Sequence, residues 1–398
     1  MTITTLSNYI NHHQIPLSNA LYRELGVGYH FIQTEPMEEE RVKMGWGAGL
    51  ASCPYLVPYY EQPEYARKLI MESDIVIFGG VDDESYIEER LQAGKIVIRS
   101  SERLYKEGQW KAISPRGLMK KYHDHTRYRK KPVYLLCDGG YVASDFHIVR
   151  AYPDKMFTWG YFPKVENYDL EQLFVDKNHE IPEILWTGRF VDFKRPWEIP
   201  QLAARLKADG IRAHITFIGG GPDAEKVLSE ITEQHLEDMI THLDFQPPQV
   251  IRDYMKRSNI YLFNSDYGEG WGAVANEAMN SACALVANQA AGATPTICMD
   301  EENALIYQNG DFEEFYQCVV RLIRDKELRQ HLGRNAYQAM QTTWNADHAA
   351  ACLLKQCQRM IQGHPITFED YGPMSKAKII PPGKMYRYLK KQACSGQT

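Results

Sequence analysis

The chain has no apolar run near the roughly 20 residues that a membrane-spanning helix requires, and no repeat or low-complexity array. Its first residues, Met-Thr-Ile-Thr-Thr-Leu-Ser-Asn, carry neither the basic nor the apolar block of a signal peptide. Eight cysteines are scattered along it and none falls in a Cys-x-x-Cys pair. That spacing argues against a zinc ribbon or a disulfide framework, so reduced structural thiols and a cytoplasmic setting are expected. Neither sign of charge dominates: the net charge is −6 and the pI about 6.1. A dedicated nucleic-acid binder is therefore disfavoured, although a local basic patch remains open.

At 398 residues the chain is too long for one ordinary core. Short apolar runs alternate with amphipathic stretches, the signature of α/β layers on mainly parallel sheets. In the first half, strands are expected at 3–7, 29–34, 74–79, 95–99, 133–137 and 156–160, with helices at 16–25 and 85–93. Residues 163–179 are polar and acidic without strong periodicity, and read as a crossing between domains. The second half restarts with strands at 184–187, 214–218, 240–245, 260–264, 284–287 and 304–306. Its helices fall at 197–209, 224–231, 248–256, 312–325 and 328–343, and the tail from about Pro365 looks less regular. The expected division is 1–170, 171–365 and a tail, 366–398, that is a candidate to pack back on the first domain. Two successive α/β halves imply Rossmann-like domains facing each other across a cleft, with ligands beyond the carboxyl ends of strands.

Four loops that follow expected strands carry polar chemistry: 8–14, 189–194, 219–222 and 268–272. Asp266-Tyr-Gly-Glu-Gly-Trp-Gly-Ala-Val-Ala-Asn-Glu277 sets Glu269 and Glu277 eight positions apart, and Gly268, Gly270 and Gly272 allow close backbone approach to a ligand. Gly188-Arg189-Phe-Val-Asp-Phe-Lys194 places two cations five positions apart after an apolar strand. Alone, Arg189 and Lys194 read as a solvated surface pair; with the paired glutamates they suit a phosphate leaving group. Glu277 lies among Ala273, Val274, Ala275, Ala278 and Met279, where a carboxylate is costly unless partnered. Gly219-Gly-Gly-Pro222 is a weak signal by itself and does not fit the dinucleotide fingerprint.

Together these residues resemble the retaining glycosyltransferases of family GT4, which have the two-domain GT-B fold. The layout of about residues 1–365 follows that family, while its specific motifs lie in the second half. The resemblance implies that Arg189 and Lys194 neutralise a nucleotide diphosphate, that Glu269 contacts the donor sugar, and that Glu277 contacts the ribose. Gly219, Gly220, Gly270, Trp271 and Gly272 would complete the donor site, with backbone amides of 270–272 as anion donors. It further implies front-face chemistry with retention, in which the leaving phosphate helps deprotonate the acceptor. No metal and no cofactor are expected, a nucleotide sugar being the co-substrate, with UDP favoured over GDP.

The first half departs from the family's commoner form. Its first loop is Ser7-Asn-Tyr-Ile-Asn-His-His-Gln14 where many relatives have glycines, so His13 becomes a donor or acceptor contact, or else a capping residue. Glu102, in Arg99-Ser-Ser-Glu-Arg103, stands where many relatives carry a histidine, and reads equally as a plain strand-end charge. Asp138-Gly-Gly-Tyr141 is another cleft candidate or a simple turn.

Residues 116–131 hold seven lysines and arginines against one carboxylate, Asp124, with Tyr122 and Tyr128 interleaved. This stretch and 384–391 are either solvated basic faces or contacts for the inner face of an anionic membrane. The function expected is transfer of a sugar to a saccharide acceptor, lipid-linked in the leading reading, in bacterial cell-surface polysaccharide assembly, with no nucleic acid involved. The alternatives are a soluble disaccharide or phosphosugar synthase of the same fold, or a catalytically silent sugar-nucleotide-binding partner subunit.

Overall fold

The computed structural model describes residues 1–39 and 53–395. The chain divides into two compact units. Unit 1 comprises Met1–Lys164 and Thr343–Pro381; unit 2 comprises Val165–Thr342 and Pro382–Thr398.

Unit 1 is built on seven strands: β1 (Ile3–Ser7), β2 (Tyr29–Gln33), β3 (Leu56–Pro58), β4 (Ile75–Phe78), β5 (Ile96–Ser101), β6 (Val133–Asp138) and β7 (Met156–Trp159). They lie side by side in the order β3-β2-β1-β4-β5-β6-β7, all parallel. Central strands of a parallel sheet are covered on both faces and read as unbroken apolar runs. The β4 sequence Ile-Val-Ile-Phe, buried at every position, is such a run. Strand order reverses between β1 and β4, so the loops after these strands diverge and leave a crevice at the carboxyl edge.

The segment 343–381 completes this unit. Helix Ala346–Ile361 packs on helix Ile15–Leu25, with Arg23 paired to Asp347. The Trp344 indole lies nearly parallel to the Phe162 ring, with centroids 6.4 Å apart. Further on, the backbone of Ser375 and Ala377 hydrogen-bonds to Thr158 and Met156, adding an antiparallel bridge to β7.

Unit 2 holds six strands: β8 (Glu183–Arg189), β9 (His214–Gly220), β10 (Ile240–Leu243), β11 (Ile260–Phe263), β12 (Ala284–Asn288) and β13 (Ala304–Tyr307). Their order is β10-β9-β8-β11-β12-β13, again all parallel, with the reversal between β8 and β11. Its core joins Trp186, Phe190 and Phe217 with Ile199, Leu202, Val319 and Leu332 from the flanking helices.

Every strand expected from the pattern is present to within a few residues at its ends. Several helices exceed the expectation. Residues 163–179 contain the helix Leu170–Asp176, capped by Asp169, which accepts from the amides of Glu171 and Gln172. Leu173 and Phe174 bury against Ala282 and Tyr337. A helix of under two turns shows only one apolar pair, too few to register as a period. In the tail, Pro381-Pro382-Gly383 starts the helix Pro382–Ser395, because proline is compatible with a first helical turn. The seven described cysteines are free thiols; the Cys394 side chain lies outside the described residues. No described helix is long and apolar enough to cross a membrane.

Helix Lys326–Thr342 packs on helix Val274–Asn280 and the turn after it, so closely that a Cβ on Gly333 would sit 2.5 Å from the Ala282 carbonyl oxygen. Helix propensity alone would make Gly333→Ala stabilising by about 1 kcal/mol. The carbonyl is backbone and cannot yield cheaply, so the variant is expected instead to lower the thermal unfolding midpoint. An unchanged or raised midpoint would show that the helix pair can separate without cost.

Candidate active site

In unit 2 the crevice between β8 and β11 is lined by the loops that follow these two strands. The β8 loop carries Lys194 in the short 3-10 turn Asp192–Lys194, and the β11 loop carries Glu269. The two side chains meet: Lys194 Nζ contacts Glu269 Oε2, and the Ser265 hydroxyl donates to the same oxygen over 3.1 Å. Both members of the pair retain only about 15% and 13% side-chain exposure, so the contact is less screened than a surface ion pair. Arg189, the last residue of β8, is exposed and makes no ion pair among the described residues. A paired cation and an unpaired one thus share the carboxyl end of one central strand.

The backbone around them is tightly constrained. Gly219 has φ +139°, and a Cβ there would fall 1.8 Å from the Gly188 carbonyl oxygen, so only glycine lets β9 end beside β8 in this way. Phe190 N–H donates to the Gly220 carbonyl at 2.7 Å. Gly292 is similarly forced: its Cβ would lie 1.7 Å from the Gly270 carbonyl oxygen.

A second polar layer holds the loops. Arg195 adopts a left-handed conformation (φ 51°, ψ 49°), unusual for a non-glycine residue and costing of order 1 kcal/mol or more. From there its guanidinium reaches Glu198 at 3.0 Å and Asp266 at 3.7 Å. Asn264 donates to the Arg195 carbonyl (3.0 Å) and to Glu198 (2.9 Å), and accepts from the Trp186 indole (2.7 Å). Asp266 N–H donates to the Phe193 carbonyl, joining the two loops through backbone as well. Burial raises the Glu198 carboxyl above its ordinary range, opposed by the Asn264 and Arg195 contacts. Arg195, Asn264, Ser265 and Asp266 received no role from the sequence. Arg195 directly follows Lys194, but adjacency did not reveal that its side chain turns back to the β11 loop.

The other residues expected on the donor side divide between open and enclosed positions. Trp271 is buried, its indole N–H donating to Asn276 at 2.9 Å, and Gly270 is buried beside it. Gly272 takes φ +90°, and the helix Val274–Asn280 starts two residues on. Glu277 lies in that helix and accepts from Arg252 of helix Pro248–Arg257 at 3.1 Å, both side chains being mostly buried. The cost of placing Glu277 among alanines is therefore met by Arg252, and burial by itself does not require a ligand there.

Two candidates belong to unit 1. His13 lies in the loop after β1, its backbone N–H donating to Asn11 and its ring 3.8 Å from that of His12. Glu102, just past β5, accepts from Tyr161 at 2.7 Å and from Lys106 at 2.6 Å. Next to it, Asp138 ends β6 fully enclosed and accepts from Ser100 at 2.6 Å. Burial, with a smaller contribution from the Glu102 charge, pushes the Asp138 carboxyl up to about 8 against the Ser100 hydrogen bond.

Two variants test these networks. Arg195→Ala removes both carboxylate contacts and leaves Glu198 buried without its cation, so a loss on the order of 3 kcal/mol is expected in chemical denaturation. A loss below about 1 kcal/mol would remove Arg195 from the list of loop-holding residues. The raised Asp138 carboxyl binds its proton more tightly folded than unfolded, so stability should fall as pH rises from about 4 through 8. Asp138→Asn, a mimic of the neutral form, should flatten that decline in thermal midpoint between pH 5 and 8.5. A slope identical to that of the unmodified protein would mean Asp138 ionises normally.

Residues 171–339 match the family model of glycosyl transferases group 1. Among curated proteins no sequence matches the chain. Solved structures of similar fold include HepE from Anabaena in complex with UDP, at 14% identity over 89% of this chain and 100% of that one (TM-score 0.65). Another is sucrose-phosphate synthase from Thermosynechococcus elongatus, at 15% identity over 91% and 100% (TM-score 0.60). A third is the lipopolysaccharide outer core galactosyltransferase WaaB, at 15% identity over 86% and 98% (TM-score 0.59). At these identities the likeness is one of fold. The chain has the two-sheet α/β fold of GT-B glycosyltransferases, and the match to the group 1 model lies within unit 2.

Proposed function

We propose that the protein is a retaining, metal-independent glycosyltransferase that moves a sugar from a nucleotide-diphosphate sugar, UDP-linked in the first instance and GDP-linked in the second, to a saccharide acceptor. The observation that carries this reading is the Lys194–Glu269 contact beside the unpaired Arg189 at the β8–β11 crevice. A diphosphate brought there meets two cations, and Lys194 can exchange its carboxylate partner for phosphate oxygens. Glu269, released from Lys194, is then free to accept hydrogen bonds from sugar hydroxyls. Glu277 takes the ribose hydroxyls as the family pattern implies, with Arg252 holding its carboxylate in place.

In the reaction the bond between the anomeric carbon and the leaving phosphate oxygen breaks, and negative charge grows on the diphosphate. Arg189 and Lys194 stabilise that charge where it develops, which is the larger part of the rate enhancement assigned to this chain. The acceptor oxygen forms the new bond and its proton passes to the departing phosphate. Glu102 and His13 in unit 1 are proposed as hydroxyl contacts.

The acceptor proposed is a lipid-linked saccharide in bacterial cell-surface polysaccharide assembly, with the protein cytoplasmic. WaaB, a lipopolysaccharide transferase of this fold, supports it. Sucrose-phosphate synthase, of the same fold, supports the alternative of a soluble disaccharide or phosphosugar synthase.

The experiment is turnover of UDP- and GDP-sugars by the purified chain, with and without EDTA. Hydrolysis or transfer that survives EDTA and falls by roughly 100-fold or more in Lys194→Ala is expected. Nucleotide binding without turnover would identify a silent partner subunit, and strict dependence on a divalent ion would end the two-cation mechanism.

A further inference from the structure

The helix Pro115–Asp124 is anomalous for a globular unit: of its ten residues only Asp124 is buried. Ser114 caps it, accepting from Gly117 N–H, and its carboxyl end is tied down where Arg99 donates to the Asp124 carbonyl at 2.8 Å. Between these ends Leu118, Met119 and Tyr122 are exposed. The preceding 3-10 turn, Gln109–Ile113, adds Trp110 at 67% exposure and Ile113 at 79%. Trp110 is braced outward: its indole N–H donates to the Glu107 carbonyl, and Lys111 lies 5.6 Å from the ring centroid. Ten residues are too few for a helix to be stable in water on propensity alone, and this one buries no apolar stripe.

Charge surrounds the apolar group. Residues 106–131 hold nine lysines and arginines against two carboxylates, in a chain whose net charge is −6. Both carboxylates are engaged locally, Glu107 with Lys111 and Asp124 with Lys120. Arg116, Arg129 and Lys130 make no ion pair among the described residues. The other basic stretch, 384–391, is built differently. There Met385 and Leu389 bury into unit 2, and Lys390 pairs with Asp300 at 3.0 Å and Glu314 at 3.3 Å, so its apolar side is already covered.

We infer that Gln109–Asp124 is a docking surface for anionic lipid, with Trp110, Ile113, Leu118, Met119 and Tyr122 entering the headgroup boundary and the surrounding cations meeting lipid charge. Each feature of the patch has a use on such a surface. Tryptophan and tyrosine favour the boundary between water and acyl chains, and lysine and arginine gain from a negative leaflet. A short helix with one tethered end lies flat and buries its apolar side chains without crossing the bilayer. A second copy of the chain would set this positive patch against itself. Nucleic acid would use the cations but leave Ile113, Leu118 and Met119 in water.

The surface would serve the lipid-linked acceptor proposed above, yet its test needs no turnover, so failure of either reading leaves the other standing. The full chain is mixed with vesicles of phosphatidylcholine, with or without phosphatidylglycerol, and binding is read by flotation at low salt. Binding to the anionic vesicles alone is expected. The triple variant Trp110→Ser, Ile113→Ser, Met119→Ser and the double variant Arg116→Glu, Lys130→Glu should each bind about tenfold more weakly or worse, with unchanged circular dichroism. The inference is overturned by failure to float with anionic vesicles, or by equal binding to neutral ones. It is equally overturned by variants that bind as the unmodified chain does, or that lose self-association or duplex DNA binding while keeping vesicle binding.

Discussion

Two loops that leave adjacent strands of a parallel sheet diverge unless something pulls them together, and in unit 2 that tie is the meeting of Lys194 and Glu269. Its members come from the turns after β8 and β11, the two strands between which the sheet reverses direction of growth. Beneath it, Arg195 spans Glu198 and Asp266 while Asn264 links the Arg195 backbone to Glu198 and Trp186. The strained backbone of Arg195 is tolerated because this layer over-determines its position. The result is a lysine and a glutamate that are pre-positioned yet still exchangeable, since each remains partly open to solvent. On the proposed reading, a diphosphate would meet a lysine that is already ordered, so less conformational freedom would be lost on binding than at a surface lysine.

Glycine has a defined task in the same region. Gly219 and Gly292 stand where backbone passes backbone with no room for a Cβ. Their effect is to bring the ends of β8 and β9, and the Glu269–Gly270 turn, within carbonyl contact. Close backbone approach of this kind lets side chains rather than main chain fill the crevice. Unit 1 shows the opposite tendency at its carboxyl edge, where polar side chains are enclosed: Asp138 is shut in with Ser100, and Glu102 is held between Lys106 and Tyr161.

The strand pattern and the motif residues were legible from the sequence. Buried parallel strands announce themselves as short apolar runs, and β4, β11 and β12 needed no tertiary information to be found. Short helices were not: Leu170–Asp176 and Val142–Ile148 are too brief to display a period. Pro115–Asp124 was visible only as a basic stretch with interleaved tyrosines, because Leu118, Met119 and Tyr122 are few among its cations and face no core. At the site, Lys194 and Glu269 were identified separately, whereas their contact and the supporting role of Arg195 depend on a backbone turn that spacing does not encode. For Glu277 the sequence demanded a partner, and only the fold showed Arg252 from a different helix to be one.

By itself the sequence determined two α/β halves, the position of nearly every strand, and the two cations and two glutamates singled out as candidate site residues. These are local properties: apolar run length, glycine spacing and residue identity are all read within a few positions of one another. The tertiary structure alone decided which of these groups touch, and which side of Gln109–Asp124 is left uncovered. It also decided that residues 343–381 return to unit 1 while the last helix joins unit 2. Such outcomes depend on strand order and on contacts between residues far apart in the chain, 75 positions for Lys194 with Glu269, and no local pattern specifies them.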